Sequence, residues 1–118
     1  MNLFDLRVKN VIRCEQVFHP VLDWTPTDWA CAMAGEVGEA CNIAKKMKRL
    51  EEGTNTAKDP QSMEECTRLM AKELADVVIY ADLLAARLGI DLGKAIASKF
   101  NEVSDRMGSN IKFKEPSI

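Results

Sequence analysis

An all-α fold is what this chain predicts, and three observations carry that expectation. No segment keeps the strict two-residue alternation of a half-buried strand, four segments hold apolar residues at helical spacing, and caps, prolines and glycines fall where those segments begin and end. With 118 residues, 47% hydrophobic and 29% charged, the chain suits a single domain with a modest core, so residues 1–118 are expected to form one helical domain.

The first helix is expected from Asn2 to about Phe18, where Leu6, Val8, Val11 and Ile12 give a loosely amphipathic pattern. Residues 1–22 thus comprise this helix and the start of a connector, "HPVLDWTPT", in which Pro20 and Pro26 remove donors and disfavour helix in the residue before each. Thr27 is the expected N-cap of a long second helix, with Asp28 in its first turn and its end near Glu52. "GTNTAKDP" is turn-rich. Asp59 before Pro60 reads as a helix start, and Ser62 with Glu65 offers a capping box one turn later, so a third helix should run from there to about Leu88. Gly89 suits the position after its C-terminus, Asp91 caps a fourth helix, and Gly108 ends it, leaving 109–118 as a polar tail. A four-helix bundle follows.

Composition excludes several function classes. A net charge of −2 and a pI near 5.4 leave no electrostatic footprint for a phosphate backbone, so a nucleic-acid polymer is not an expected partner. Cys14, Cys31, Cys41 and Cys66 show no CxxC pairing and His19 is the lone histidine, which argues for reduced thiols and against a zinc site. The first twenty residues alternate charge with apolarity and no run reaches membrane length, so a soluble cytoplasmic protein without a membrane partner is expected.

The chemistry-bearing stretch is "AMAGEVGEACNIAKK". Projected on a helix, Glu39, Trp29, Ala40, Ile43 and Met47 all fall within about 60° of Glu36, while Lys45, Lys46, Lys48 and Arg49 lie outside that arc. The third helix repeats the pattern, with Glu73 and Asp76 three apart on the face of Cys66, Leu69, Val77, Tyr80 and Leu84. Four carboxylates therefore point at the core, and burying even one unpaired carboxylate costs several kcal/mol. Solvation on an outer face fits these angles poorly. Salt bridges to Lys99 or Arg106, shared protons, or bound cations would each neutralise the cluster. A di-iron centre would need histidine three residues from a glutamate, which His19 does not supply, whereas oxygen ligands alone suit Mg²⁺, with Mn²⁺ the alternative.

At "GEVGEACN" and "ELADVVIY" the sequence resembles the MazG-like members of the all-α nucleoside triphosphate pyrophosphohydrolase superfamily, whose signature is an ExxE helix followed by an ExxD helix. The likeness runs from "DWTPTDWA" through "GIDLGKAIASKFNEVSDRMGS", about residues 23–109. Gly35 stands where many members carry an extra glutamate, which is the GExGE form of dCTP pyrophosphatase-like members. The resemblance implies Mg²⁺-dependent hydrolysis of a (deoxy)nucleoside triphosphate between the α and β phosphates in nucleotide-pool control, with Glu36, Glu39, Glu73 and Asp76 holding the metal and Glu39, with Glu36 beside it, as the catalytic carboxylates. A non-catalytic helical interaction protein with a regulatory or vestigial metal site, and a hydrolase of another phosphoanhydride such as an alarmone, are the alternatives.

The resemblance also places Trp24 near a base pocket and Tyr80 against the ligand; the structural alternatives are a connector anchor and a core tyrosine, and Trp29 reads as packing. Lys46 lies at the edge of the acidic arc, within reach of phosphates unless "KKMKR" is simply a solvated face. On the fourth helix Lys99 and Arg106 border the apolar stripe of Leu92, Ile96, Phe100, Val103 and Met107 and could bind phosphate oxygens, while Asn101 of the family-like "KFN" points elsewhere and would reach a base only across a subunit boundary. Gly35 and Gly38 suggest close approach of another backbone. The third helix is apolar nearly all round from Leu74 to Leu88, which predicts a homo-oligomer, a dimer or tetramer on the resemblance.

Overall fold

The computed structural model describes residues 1–114, and among them every regular element is helical. The elements are α1 (Leu3–Arg13), α2 (Pro26–Glu52), α3 (Met63–Arg87) and α4 (Leu92–Met107), with a π-helical turn at Cys14–Phe18 and a 3₁₀ turn at Val21–Asp23. The long α2 and α3 form an antiparallel pair that carries most of the tertiary contact, and α1 lies across α3.

Local chemistry sets each boundary. Asn2 caps α1 by accepting from the Asp5 backbone N–H at 2.8 Å. Beyond Arg13 the helix widens into the π turn rather than continuing regularly to Phe18, and the Cys14 thiol donates to the His19 carbonyl at 3.1 Å where it closes. The N-cap of α2 is Thr25, not Thr27. Pro26 is already at the first helical position, where its fixed φ and missing N–H are suited, and Thr25 and Asp28 bond each other's backbone N–H at 3.2 and 2.9 Å. Ser62 caps α3, while Asp59 starts no helix: its carboxylate accepts from Arg49 Nε at 3.2 Å, Arg49 Nη2 at 2.9 Å and the Thr56 N–H at 2.9 Å, clasping the α2–α3 loop to the end of α2. Gly53, Gly89 and Gly108 take positive φ after α2, α3 and α4, where only glycine is unstrained. Asp91 caps α4.

The core is small. Cys14, Val21, Trp29 and Leu83 bury together, with Val11, Trp24, Tyr80 and Leu84 packed around them. A second link ties α1 to α3: Asp82, with its side chain 1% exposed, accepts from Arg7 Nε at 2.9 Å, while Arg7 Nη2 donates to the Ile90 carbonyl at 2.8 Å. No backbone approaches Gly35 or Gly38; a Cβ at either would meet nothing within 4 Å, because both sit on the open side of α2.

Four helices are present, but α4 does not close a bundle within one chain. It makes no substantial contact with α2 or α3 and touches mainly the start of α1. The radius of gyration is accordingly 17.7 Å, against about 13.5 Å for a compact domain of this length. Residues of the expected tail fold back on α4 instead. Asn101 exchanges two 2.8 Å hydrogen bonds with the Phe113 backbone, Ser104 Oγ donates to the Ile111 carbonyl, Lys112 pairs with Asp105, and Phe113 meets Phe100 edge-on. The remainder of that tail, 115–118, lies outside the described residues.

Candidate metal centre and adjoining aromatic cavity

Antiparallel pairing of α2 with α3 brings two i, i+3 acid pairs face to face. Glu36, Glu73 and Asp76 are each half-buried, and each presents a carboxylate oxygen within 4.8 Å of the others. Glu39 is more exposed and lies at hydrogen-bonding reach of both Glu36 and Glu73. Among the described residues no lysine or arginine pairs with any of these acids: the ion pairs are Arg7–Asp82, Lys48–Glu52, Arg49–Asp59, Lys99–Glu102 and Lys112–Asp105. The expected alternative of neutralisation by Lys99 is therefore not realised, since its ammonium is 3.2 Å from Glu102.

One oxygen of Glu36 and one of Glu73 are sealed from solvent with no hydrogen-bond partner. Burial pushes the Glu36 carboxyl above the ordinary carboxylate range, followed by the charge and hydrogen bond of Glu39 and the charges of Asp76 and Glu73. Glu73 is raised likewise, first by burial, then by the hydrogen bond and charge of Glu39 and the charge of Asp76. Buried oxygens without donors, surrounded by like charge, are chemically suited to a hard cation, which prefers carboxylate oxygen and removes the repulsion.

Asp76 links this cluster to a cavity of about 370 Å³, at the lower end of the roughly 300–1,000 Å³ usual for small-molecule sites. Its wall is aromatic: His19 and Trp24 have ring centroids 4.5 Å apart, Trp24 and Trp29 4.5 Å, and Trp29 and Tyr80 6.3 Å. Trp29, 2% exposed, is fixed by Nε1–H donating to the Val21 carbonyl at 3.0 Å. Trp24 is positioned through its carbonyl, which accepts from Arg87 Nε at 2.8 Å. The cavity thus offers flat rings together with a carboxylate, Asp76, that has no basic partner among the described residues.

The sequence candidates divide accordingly. Glu36, Glu39, Glu73 and Asp76 come together, and Trp24 and Tyr80 line the adjoining cavity. Lys46 is half-buried further along α2, and within one chain Lys99, Asn101 and Arg106 are not brought to the acids, because α4 leaves the α2–α3 pair. Asn101 is 7% exposed and its amide is occupied by Phe113. Sequence reasoning missed Asn10, Arg13 and His19, which also line the cavity. Asn10 and Arg13 come from α1, and His19 follows the π turn, which left no periodic signal; the cluster of "FHPVLDW" aromatics was the available hint.

No known protein-family profile matches the chain. Two curated proteins do: it is 31% identical over 99 residues to dCTP pyrophosphatase 1 of Rattus norvegicus and, with the same identity and span, to dCTP pyrophosphatase 1 of Mus musculus. Each alignment covers 80% of this chain and 55% of the relative, so the chain spans about half the length of the curated proteins it matches.

Proposed function

From this relationship, a distant one to the MazG-like nucleoside triphosphate pyrophosphatases, we propose that the chain hydrolyses a (deoxy)nucleoside triphosphate at its α–β phosphoanhydride, releasing the monophosphate and pyrophosphate. The observation that carries this reading is the pair of sealed, unpartnered oxygens on Glu36 and Glu73 in a cluster that opens through Asp76 onto an aromatic cavity. Glu36, Glu39, Glu73 and Asp76 would hold Mg²⁺, with Mn²⁺ sharing the same ligand preference. When bound, such a cation screens phosphate charge and lowers the pKa of an attacking water. Glu39, the most exposed of the four acids, takes the proton from that water. Trp24 and Tyr80 hold the base against their rings, with His19 and Trp29 behind them. dCTP, the nucleotide in the relatives' name, heads the candidate substrates.

The site is completed by a second copy. Leu74, Val78, Ile96, Phe100 and Met107 are exposed, and α4 packs against little of its own chain. A homodimer or homotetramer would cover these residues and let Lys99 and Arg106 of a neighbouring copy serve phosphate oxygens alongside Lys46; Asn101 would reach a base there only by releasing Phe113. Among the described residues no helix is long and apolar enough to cross a membrane, and the proposed setting is the cytoplasmic nucleotide pool.

Product analysis over a panel of ribo- and deoxynucleoside triphosphates, with and without Mg²⁺, tests the reading. Mg²⁺-dependent pyrophosphate with the matching monophosphate supports it. Orthophosphate would mean a different bond is cleaved, and no product from any nucleotide would favour the non-catalytic alternative.

A further inference from the structure

Resting on the reading that the aromatic cavity takes the nucleobase, we infer that Asn10 selects a base carrying an exocyclic amine, and that Asp82, with Arg7, fixes the amide orientation this selection needs. The Asn10 Nδ2 group donates to the Ile79 carbonyl at 2.9 Å and to Asp82 Oδ2 at 3.1 Å, so both of its protons are committed. A flipped amide would set its oxygen against two acceptors. Asp82 cannot turn away, because its other oxygen accepts from Arg7 Nε at 2.9 Å, and Arg7 is anchored in turn to the Ile90 carbonyl at 2.8 Å.

The Asn10 carbonyl oxygen accepts from no described residue, and it is not among the side-chain atoms sealed off without a partner. Asn10 is 4% exposed and lines the cavity, and we take the opening of that oxygen to be on the cavity side. On that placement it is an acceptor on the cavity wall, held in place by the two bonds of Nδ2. An amine at position 4 of a pyrimidine, or at position 6 of a purine, donates to such an oxygen, whereas a keto oxygen in the same place repels it and leaves two acceptors unsatisfied. Among pyrimidines the cavity should thus take cytosine over uracil and thymine.

Binding of dCMP and dUMP to the intact protein in Mg²⁺, followed by calorimetry and by quenching of Trp24 and Trp29 fluorescence, reads this directly and needs no turnover. The two ligands differ at position 4, an amine against a keto oxygen, and at N3 beside it, an acceptor against an N–H donor, so the Asn10→Ala comparison is what assigns the preference to Asn10. Wild type is expected to favour dCMP by about tenfold, the range of one hydrogen bond gained against one repulsion. Asn10→Ala should bring the two affinities together, chiefly by weakening dCMP. Asp82→Asn should also lower the preference, because the new amide can donate to a flipped Asn10, leaving only the Ile79 carbonyl opposed to the flip, and so allow Asn10 to offer its NH₂ group to dUMP. A purely structural role for Asp82 would weaken both ligands equally and leave the ratio intact. Where Asp82→Asn does not fold, Asn10→Ala, which leaves the ion pair in place, decides the matter. Equal wild-type affinities, binding of neither ligand, or an unchanged ratio in Asn10→Ala would overturn the inference. Hydrolysis of the triphosphates is scored separately, so discrimination without turnover would leave the inference standing and remove the proposed reaction, and turnover without discrimination would do the reverse.

Discussion

Asp76 and Asp82 lie on the same helix, less than two turns apart, and the fold treats them in opposite ways. Asp82 is paired with Arg7 and bonded by Asn10, and on the α2–α3 loop Asp59 is paired with Arg49 and bonded by the Thr56 N–H. Asp76 and its neighbours Glu36, Glu39 and Glu73 have no basic partner among the described residues, and Glu36 and Glu73 each keep a sealed oxygen without a donor. Arg7 and Arg49 are thus directed to the aspartates that hold segments together. The four clustered acids are left for something the chain does not supply. The paired carboxylates hold segments together, and the unpaired ones are the proposed metal site.

Substitutions at the two kinds of carboxylate should therefore separate stability from activity. The largest effect is expected on turnover: Glu39→Gln should lower kcat by about 10²–10⁴-fold, the usual contribution of a positioned proton acceptor, while the circular-dichroism melt stays within a few degrees of wild type. Asp82→Ala should do the opposite to the fold, costing about 3 kcal/mol in urea unfolding because it strands the Arg7 charge. Equal stability losses at Glu39 and Asp82 would erase the distinction.

The pH dependence gives a smaller, sign-sensitive test. Glu36 and Glu73 have raised folded-state pKa values, so without metal the stability they contribute is fully present below the unfolded glutamate value, about 4.3, and is lost as pH rises through the higher folded value. Asp59 is the reverse. The Thr56 N–H and then Arg49 hold it below the usual aspartate range, so its contribution is present above an unfolded value of about 3.9 and is lost as pH falls through the lower folded one. Melting temperatures of metal-free protein across pH 3 to 8 should fall on the neutral side in a manner removed by Glu36→Gln, and fall on the acid side in a manner removed by Asp59→Asn. The smallest effect is expected at the helix cap: Thr25→Ala should cost about 1 kcal/mol, measured by the same unfolding, whereas Thr27→Ala should be close to neutral.

That cap shows where sequence reading works and where it stops. The four acids were legible because helical periodicity fixes direction within a helix, and the antiparallel pairing of two long helices joined by a short loop does the rest. Thr25 was missed because "TPT" offers two threonines, and only the fit of Pro26 to the first helical position decides between them. Asp59 read as a helix start because Asp-Pro does favour one, but Arg49 is ten residues earlier in the chain, and that partnership has no periodic signature. The cavity was the least legible feature, since Asn10, His19, Trp24 and Tyr80 come from α1, the connector and α3 and meet through a π turn. Asn101 reads as pointing away from the apolar stripe, and what the sequence does not signal is the return of the residues after Gly108, whose Phe113 backbone bonds its amide.

The most direct measurement is Mn²⁺ binding, by electron paramagnetic resonance of the free ion and by calorimetric competition with Mg²⁺, to wild type, Glu36→Gln, Glu73→Gln and Asp59→Asn. The account predicts that wild type and Asp59→Asn bind the cation and that Glu36→Gln and Glu73→Gln bind it at least about tenfold more weakly. Absence of binding in wild type, or binding that survives both glutamate substitutions, would contradict it.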